Sequence, residues 1–231
     1  MKTVFLFLFG MSFSILGTAQ EVNQFDENGE RHGPWKKYFP GTKQLRYEGQ
    51  FDHGKETGTF KFYCEECGTQ PMVIKEFNPN DNSADVKYYT VKGKLVSEGK
   101  MEGKNRIGEW VYYHKRSKDV MTRENYVAGN LDGVKTTYYT NGKVTEETTY
   151  VNGVEEGPNN YYSYDGVLLK KLIYAAGELH GPATYYNASG SVSIEGQYKE
   201  GKKHGLWKYY KGGKVVKEET FPKPVKRGNK G

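Results

Sequence analysis

One spacing governs this chain. A glycine is followed five residues later by a tyrosine at Gly33/Tyr38, Gly58/Tyr63, Gly108/Tyr113, Gly133/Tyr138, Gly157/Tyr162, Gly181/Tyr186 and Gly205/Tyr210. The steps from one of these glycines to the next are 25, 50, 25, 24, 24 and 24 residues. The double step predicts a degenerate unit halfway, and Ser83/Tyr88 supplies it with the same offset. A second glycine, at Gly29, Gly54, Gly103, Gly129, Gly153, Gly177 and Gly201, stands four residues before its partner, except that Gly103 is five before Gly108. Self-similarity at such a period is the signature of a stacked array, in which each unit buries surface only against its neighbours.

Within a unit the period is two. Trp207 and Tyr209 alternate with Lys208 and Tyr210, which places the two pairs on opposite faces of a strand. Asn141-Gly142, Asp165-Gly166, Ser189-Gly190 and Gly212-Gly213 follow in successive units and predict tight hairpin turns, because such pairs accept positive φ. The returning segments carry apolar residues six apart, as in Leu45/Phe51, Leu95/Met101, Val144/Tyr150, Val192/Tyr198 and Val215/Phe221. Glu48, Glu98, Glu147, Glu195 and Glu218 lie midway and therefore point to the other face. Each unit reads as one hairpin. The predicted fold is all-β, an elongated single-layer antiparallel sheet of about eight tandem hairpins. Composition agrees: 29 glycines, 20 tyrosines and only 35% hydrophobic residues suit a thin aromatic sheet better than a thick aliphatic core. Gly49, Gly99 and Gly196 fall where a missing side chain would make room for a ring on the neighbouring strand.

The stretch Ser193–Lys214, SIEGQYKEGKKHGLWKYYKGGK, resembles a MORN repeat joined to its successor, and Arg46–Tyr63, RYEGQFDHGKETGTFKFY, does the same. The paired aromatics, as at Tyr209-Tyr210, are closer to the bacterial variant of the repeat found in the YwqK-family antitoxin group. The resemblance runs from about Asn28 to Phe221, with departures at Pro79 and Ser83 and in the loops around Cys64 and Lys115. It implies a row of hairpins in one elongated antiparallel sheet. It also allows a phospholipid surface as a partner, or an antitoxin or immunity protein that neutralises a cognate toxin.

The two ends follow other rules. Lys2, the apolar run Val4–Leu16, and small residues at Gly17 and Ala19 read as a secretory signal peptide over 1–19. Residues 20–221 form the repeat domain and 222–231 a basic tail with Lys223, Lys226, Arg227 and Lys230. Removing Lys2 from the 34 basic residues leaves 33 against 28 acidic ones, a net of +5. That charge is scattered in both signs, so no dedicated nucleic-acid partner is expected.

Chemistry-bearing residues are few. Cys64 and Cys67 form C-E-E-C at the tip of the second hairpin, read as a local disulfide or idle thiols, with redox and metal-binding roles as the alternatives. His32, His180 and His204 each precede a unit glycine and read as turn residues, and no neighbouring pair of histidines has metal spacing. The glutamate column is explained by cross-strand pairing with Lys or Tyr. No nucleophile motif or phosphate loop breaks the repeat, so neither enzyme activity nor a cofactor, metal or small-molecule substrate is expected. The leading function is an exported scaffold that binds a protein partner through an aromatic face made by Trp35, Phe60, Phe62, Trp110, Tyr112, Tyr161, Tyr185, Trp207 and Tyr209. The competing reading is that these rings cover one another across strands.

Overall fold

The computed structural model describes residues 21–223; the expected signal peptide and nearly all of the basic tail lie outside them. Over the described residues the chain is all-β, a single open antiparallel sheet of nineteen strands. Eight hairpins follow one another in chain order: Arg31–Tyr38 with Leu45–Asp52, Lys55–Phe62 with Val73–Phe77, Ser83–Tyr89 with Leu95–Glu102, and Asn105–Tyr113 with Val120–Val127. Then come Gly133–Tyr138 with Val144–Val151, Val154–Tyr162 with Leu168–Ala175, Gly181–Tyr186 with Val192–Lys199, and Lys202–Lys211 with Lys214–Phe221. The short Gln24–Phe25 strand covers the first edge by pairing with Arg31 and His32. Two further short strands, Asn130–Leu131 and Glu178–Leu179, are the starts of the fifth and seventh outgoing strands, set off by bulges at Asp132 and His180. Each hairpin pairs only with those before and after it in sequence. Among the described residues no helix is long and apolar enough to cross a membrane.

Two turn geometries alternate. Five of the seven links between hairpins are two-residue turns in which both positions have positive φ, as at His53-Gly54 (44° and 78°) and Asn152-Gly153 (50° and 83°), whereas the link from Phe77 to Ser83 is longer and at Gly103-Lys104 only the glycine has positive φ. The doubly positive form is the hairpin turn whose twist matches that of the strands. Gly103 is displaced by one residue because it takes the first turn position, between Glu102 and its partner Asn105. The turns inside most hairpins differ from the tight pairs expected. In Tyr139–Lys143 the Gly142 N–H donates to the Tyr139 carbonyl (3.0 Å) and the Tyr139 N–H to Lys143 (2.8 Å), with positive φ at Gly142 and none at Asn141. Thr90–Lys94, Ser163–Val167 and Asn187–Ser191 repeat that pattern, a three-residue loop closed by a glycine in the left-handed region. Only Gly212-Gly213, between paired Lys211 and Lys214, makes the tight turn predicted.

The unit glycines sit inside strands, at bulges. Register shifts fall between Glu48 and Gln50, Gly99 and Lys100, Thr148 and Tyr150, and Glu195 and Gln197. The facing extra residues include Gly58, Gly108, Gly157 and Gly205, all at positive φ. His32 and His204 are consequently ladder residues and His180 a bulge residue, where turn residues had been expected. The third hairpin also corrects the expected register. Ala84 pairs with Met101 and Tyr89 with Leu95, as Gly33 pairs with Phe51 and Tyr38 with Leu45, so the equivalents are Ala84/Tyr89, one residue beyond Ser83/Tyr88.

Burial is confined to one face and collects at the glycines. The Phe60, Trp110 and Trp207 rings lie over Gly49, Gly99 and Gly196, where a Cβ would fall within the ring itself. The fourth equivalent pair is Thr148 and Asn159, where the Asn159 amide donates to the Thr148 hydroxyl at 3.1 Å. In all four cases the partners are eleven residues apart, and they occur in every second hairpin. Two apolar clusters build on them, one around Val86 and Trp110 and one around Leu172, Ala183 and Trp207.

Candidate functional site

The aromatic face is layered. Its floor is Phe60, Trp110 and Trp207, each at most 1% exposed, so these three of the expected contact residues have no surface to offer. The reason is geometric: each ring drops into the hollow over its glycine, and the indole N–H groups of Trp110 and Trp207 donate to the Lys100 and Gln197 carbonyls at 3.0 and 3.1 Å. Cations close the remaining side. The Arg106 guanidinium stands 4.6 Å from the Trp110 ring centre and the Lys203 ammonium 4.1 Å from that of Trp207. At the first hairpin Arg31 lies 4.0 Å over Phe51.

Above this floor runs a row of half-buried rings. Phe62, Tyr112, Tyr161, Tyr185 and Tyr209 occupy equivalent positions four residues after their unit glycines. Once the third hairpin is put in register, Tyr88 joins them, a residue missed because the degenerate unit hides its phase. The rings rest on the floor: Phe62 stacks at 6.1 Å from Phe60, while Tyr88 and Tyr185 lie tilted at 6.0 Å from Trp110 and 6.4 Å from Trp207. Trp35 is half-buried between Phe51 and the exposed Phe25, which meets it edge-on at 5.2 Å. The row's hydroxyls are tied down. Arg106 donates to Tyr112 (2.7 Å), Tyr209 donates to Glu219 (2.8 Å), and Tyr185 and Tyr198 share a bond of 3.0 Å. Burial, followed by the neighbouring Tyr126, holds the Tyr112 hydroxyl well above the ordinary phenol range. Burial does the same at Tyr161 and Tyr185.

The opposite face is polar. There Tyr63, Tyr113, Tyr162 and Tyr210 donate to Glu48, Glu98, Glu147 and Glu195, each fifteen residues earlier. Lys36, Lys87 and Lys208 approach the same glutamates at 3.6–3.8 Å. The expected pairing of the glutamate column with Lys or Tyr describes these contacts. Shallow grooves of about 400, 460 and 300 Å³ lie over Gly49, Gly99 and Gly196 between these pairs. Cys64 and Cys67 are joined as a disulfide at the tip of the second hairpin.

Comparison with protein-family models and with curated proteins found no match to this chain.

Proposed function

We propose that the mature chain is an exported, MORN-like repeat scaffold that binds a protein partner along the ring row. The observation that carries this reading is the row itself: Phe62, Tyr88, Tyr112, Tyr161, Tyr185 and Tyr209 are held half-buried at equivalent positions by a rigid floor. Tyrosines fixed in this way offer contact area with little side-chain entropy left to lose. Within the second to fourth and the sixth to eighth hairpins the rings stand roughly 10 Å apart, two strand spacings, with Thr137 in the gap between the two runs, which suits an extended partner more than a compact one. Export rests on the residues before Gln20: a basic start, an apolar run too short to span a bilayer, and Gly17 and Ala19 ahead of the cut. No catalytic role is assigned to any residue.

The test is capture of envelope proteins by the immobilised mature chain, compared with Tyr112→Lys and Tyr209→Lys. Each variant should weaken capture by about 1–2 kcal/mol, a factor of roughly 5–30, with little change in Tm. A fall in Tm that accounts for the lost binding, or capture that ignores both substitutions, would overturn the reading. Retention on anionic vesicles with no protein captured would transfer the face to a lipid surface.

A further inference from the structure

Outside the aromatic face, the first hairpin assembles two histidines and a carboxylate that are distant in sequence. Gly33 pairs with Phe51, and this register sets His32 across from Asp52. The chain then turns at His53-Gly54, and the positive φ of His53 brings its ring back beside that of His32, with ring centres 4.8 Å apart. The His32 Nδ1 lies 3.6 Å from Asp52 Oδ1 and the His53 Nε2 3.8 Å from the same oxygen. One ligand atom from each of the three residues falls within 4.8 Å of the other two, and among the described residues no other group of His, Cys, Asp or Glu does so. Atoms bound tetrahedrally to one zinc-sized ion at about 2.0–2.1 Å stand roughly 3.3–3.5 Å apart. Small rotations of three exposed side chains close that gap.

A second feature separates this cluster from a chance surface group. His53 bonds through Nδ1 to Asp26 at 2.6 Å. Asp26 is itself fixed, its side chain only 7% exposed and its other oxygen accepting the Asn28 and Glu30 N–H groups at 2.9 Å. A carboxylate only accepts, so the ring proton of neutral His53 sits on Nδ1 and the Nε2 lone pair faces Asp52 and His32. Carboxylate-to-histidine bonds of this kind orient the histidine ligands of metal centres. We infer that His32, Asp52 and His53 form a binding site for a divalent transition ion of the zinc class, with Asp26 as the positioning residue for His53. Two imidazoles and one carboxylate favour zinc, copper or nickel over calcium or magnesium, which take oxygen ligands. The three side chains lie on an exposed rim, which leaves the remaining coordination positions to water or to a donor from a partner.

The signal was hidden because His32 lies in a strand and His53 in the turn after the next strand, so their spacing along the chain matches no ligand motif. The experiment is a calorimetric titration of the untagged mature chain with ZnCl2, with CoCl2 as a spectroscopic probe. One ion per chain should bind, cobalt should develop visible absorption, and zinc should raise Tm as expected for a ligand of the folded state. His32→Ala and His53→Ala should each lower zinc affinity at least tenfold, and Asp26→Asn should lower it by about 10–100-fold. His180→Ala and His204→Ala, which alter histidines outside the cluster, should change nothing. Absence of saturable zinc binding, or affinity unaffected by His32→Ala and His53→Ala in chains that melt normally, would overturn the assignment.

Discussion

A Cβ placed on Gly99 would meet the Trp110 ring at 2.5 Å, closer than packed atoms approach, so the indole and the missing side chain define each other. Gly99→Ala should therefore cost about 1–3 kcal/mol through overpacking, read as a lower Tm with an unchanged strand spectrum. The Thr148/Asn159 pair offers the converse test. Asn159 is 1% exposed and Thr148 occupies the hollow that glycine leaves empty elsewhere. Asn159→Trp alone should destabilise, and adding Thr148→Gly should recover at least about 1 kcal/mol of that loss in a double-mutant cycle. Additive losses would show that the hollow and the ring are independent. The glycine-to-ring relation was legible from sequence at Gly49, Gly99 and Gly196, because a glycine inside a strand is conspicuous. That the rings are floor and not surface was not legible. Periodicity assigns a face, but only the depth of the hollow and the cations over it decide exposure.

At the level of the hairpin, the number of units, their antiparallel order and the glutamate column could be read from the chain, since each rests on residues that recur. Two things could not. Ser83/Tyr88 matched the five-residue offset by coincidence, and only the pairing of Ala84 with Met101 reveals the true phase. The histidines before the unit glycines read as turn residues, yet a glycine at positive φ serves a bulge as well as a turn, and sequence does not tell the two apart. The tyrosine-to-glutamate bonds between hairpins carry a pH signature. Burial, then the Glu98 bond, lifts the Tyr113 hydroxyl to about 12, and burial with Glu147 lifts Tyr162 to about 12 as well. In the unfolded chain these phenols ionise near ~10. Between those values the folded state holds more protons than the unfolded one, so the stabilisation is complete below about pH 10 and is lost as pH rises toward about 12. A Tm-against-pH series should fall steeply across that window, and less steeply in Tyr113→Phe/Tyr162→Phe. Equal slopes would remove the tyrosines as the cause. Lys214–Phe221, which among the described residues pairs on one side only, exposes Val215 and Val216 but interleaves Lys214, Lys217 and Glu218, the charged blunting that discourages pairing with another sheet.

Among the described residues each hairpin pairs only with its neighbours along the row, so stability accumulates along it and fraying should begin at the ends. The glycine-and-ring pair recurs only in every second hairpin, as do the tyrosine-to-glutamate bonds, and this gives the array a hidden unit twice the visible one. Deleting residues 99–147 joins Glu98 to Thr148 and keeps each hollow facing its own plug, so that protein should melt cooperatively near the parent's Tm. Deleting residues 108–132 removes one hairpin and joins Ile107 to Gly133, which leaves the Gly99 hollow facing Lys135; it should melt lower and bind hydrophobic dye. Equal melting of the two deletions would dissolve the double unit. If it stands, the length of such a protein is quantised: gene duplication can lengthen or shorten it smoothly in pairs of hairpins, while an odd step leaves a seam where two like halves meet.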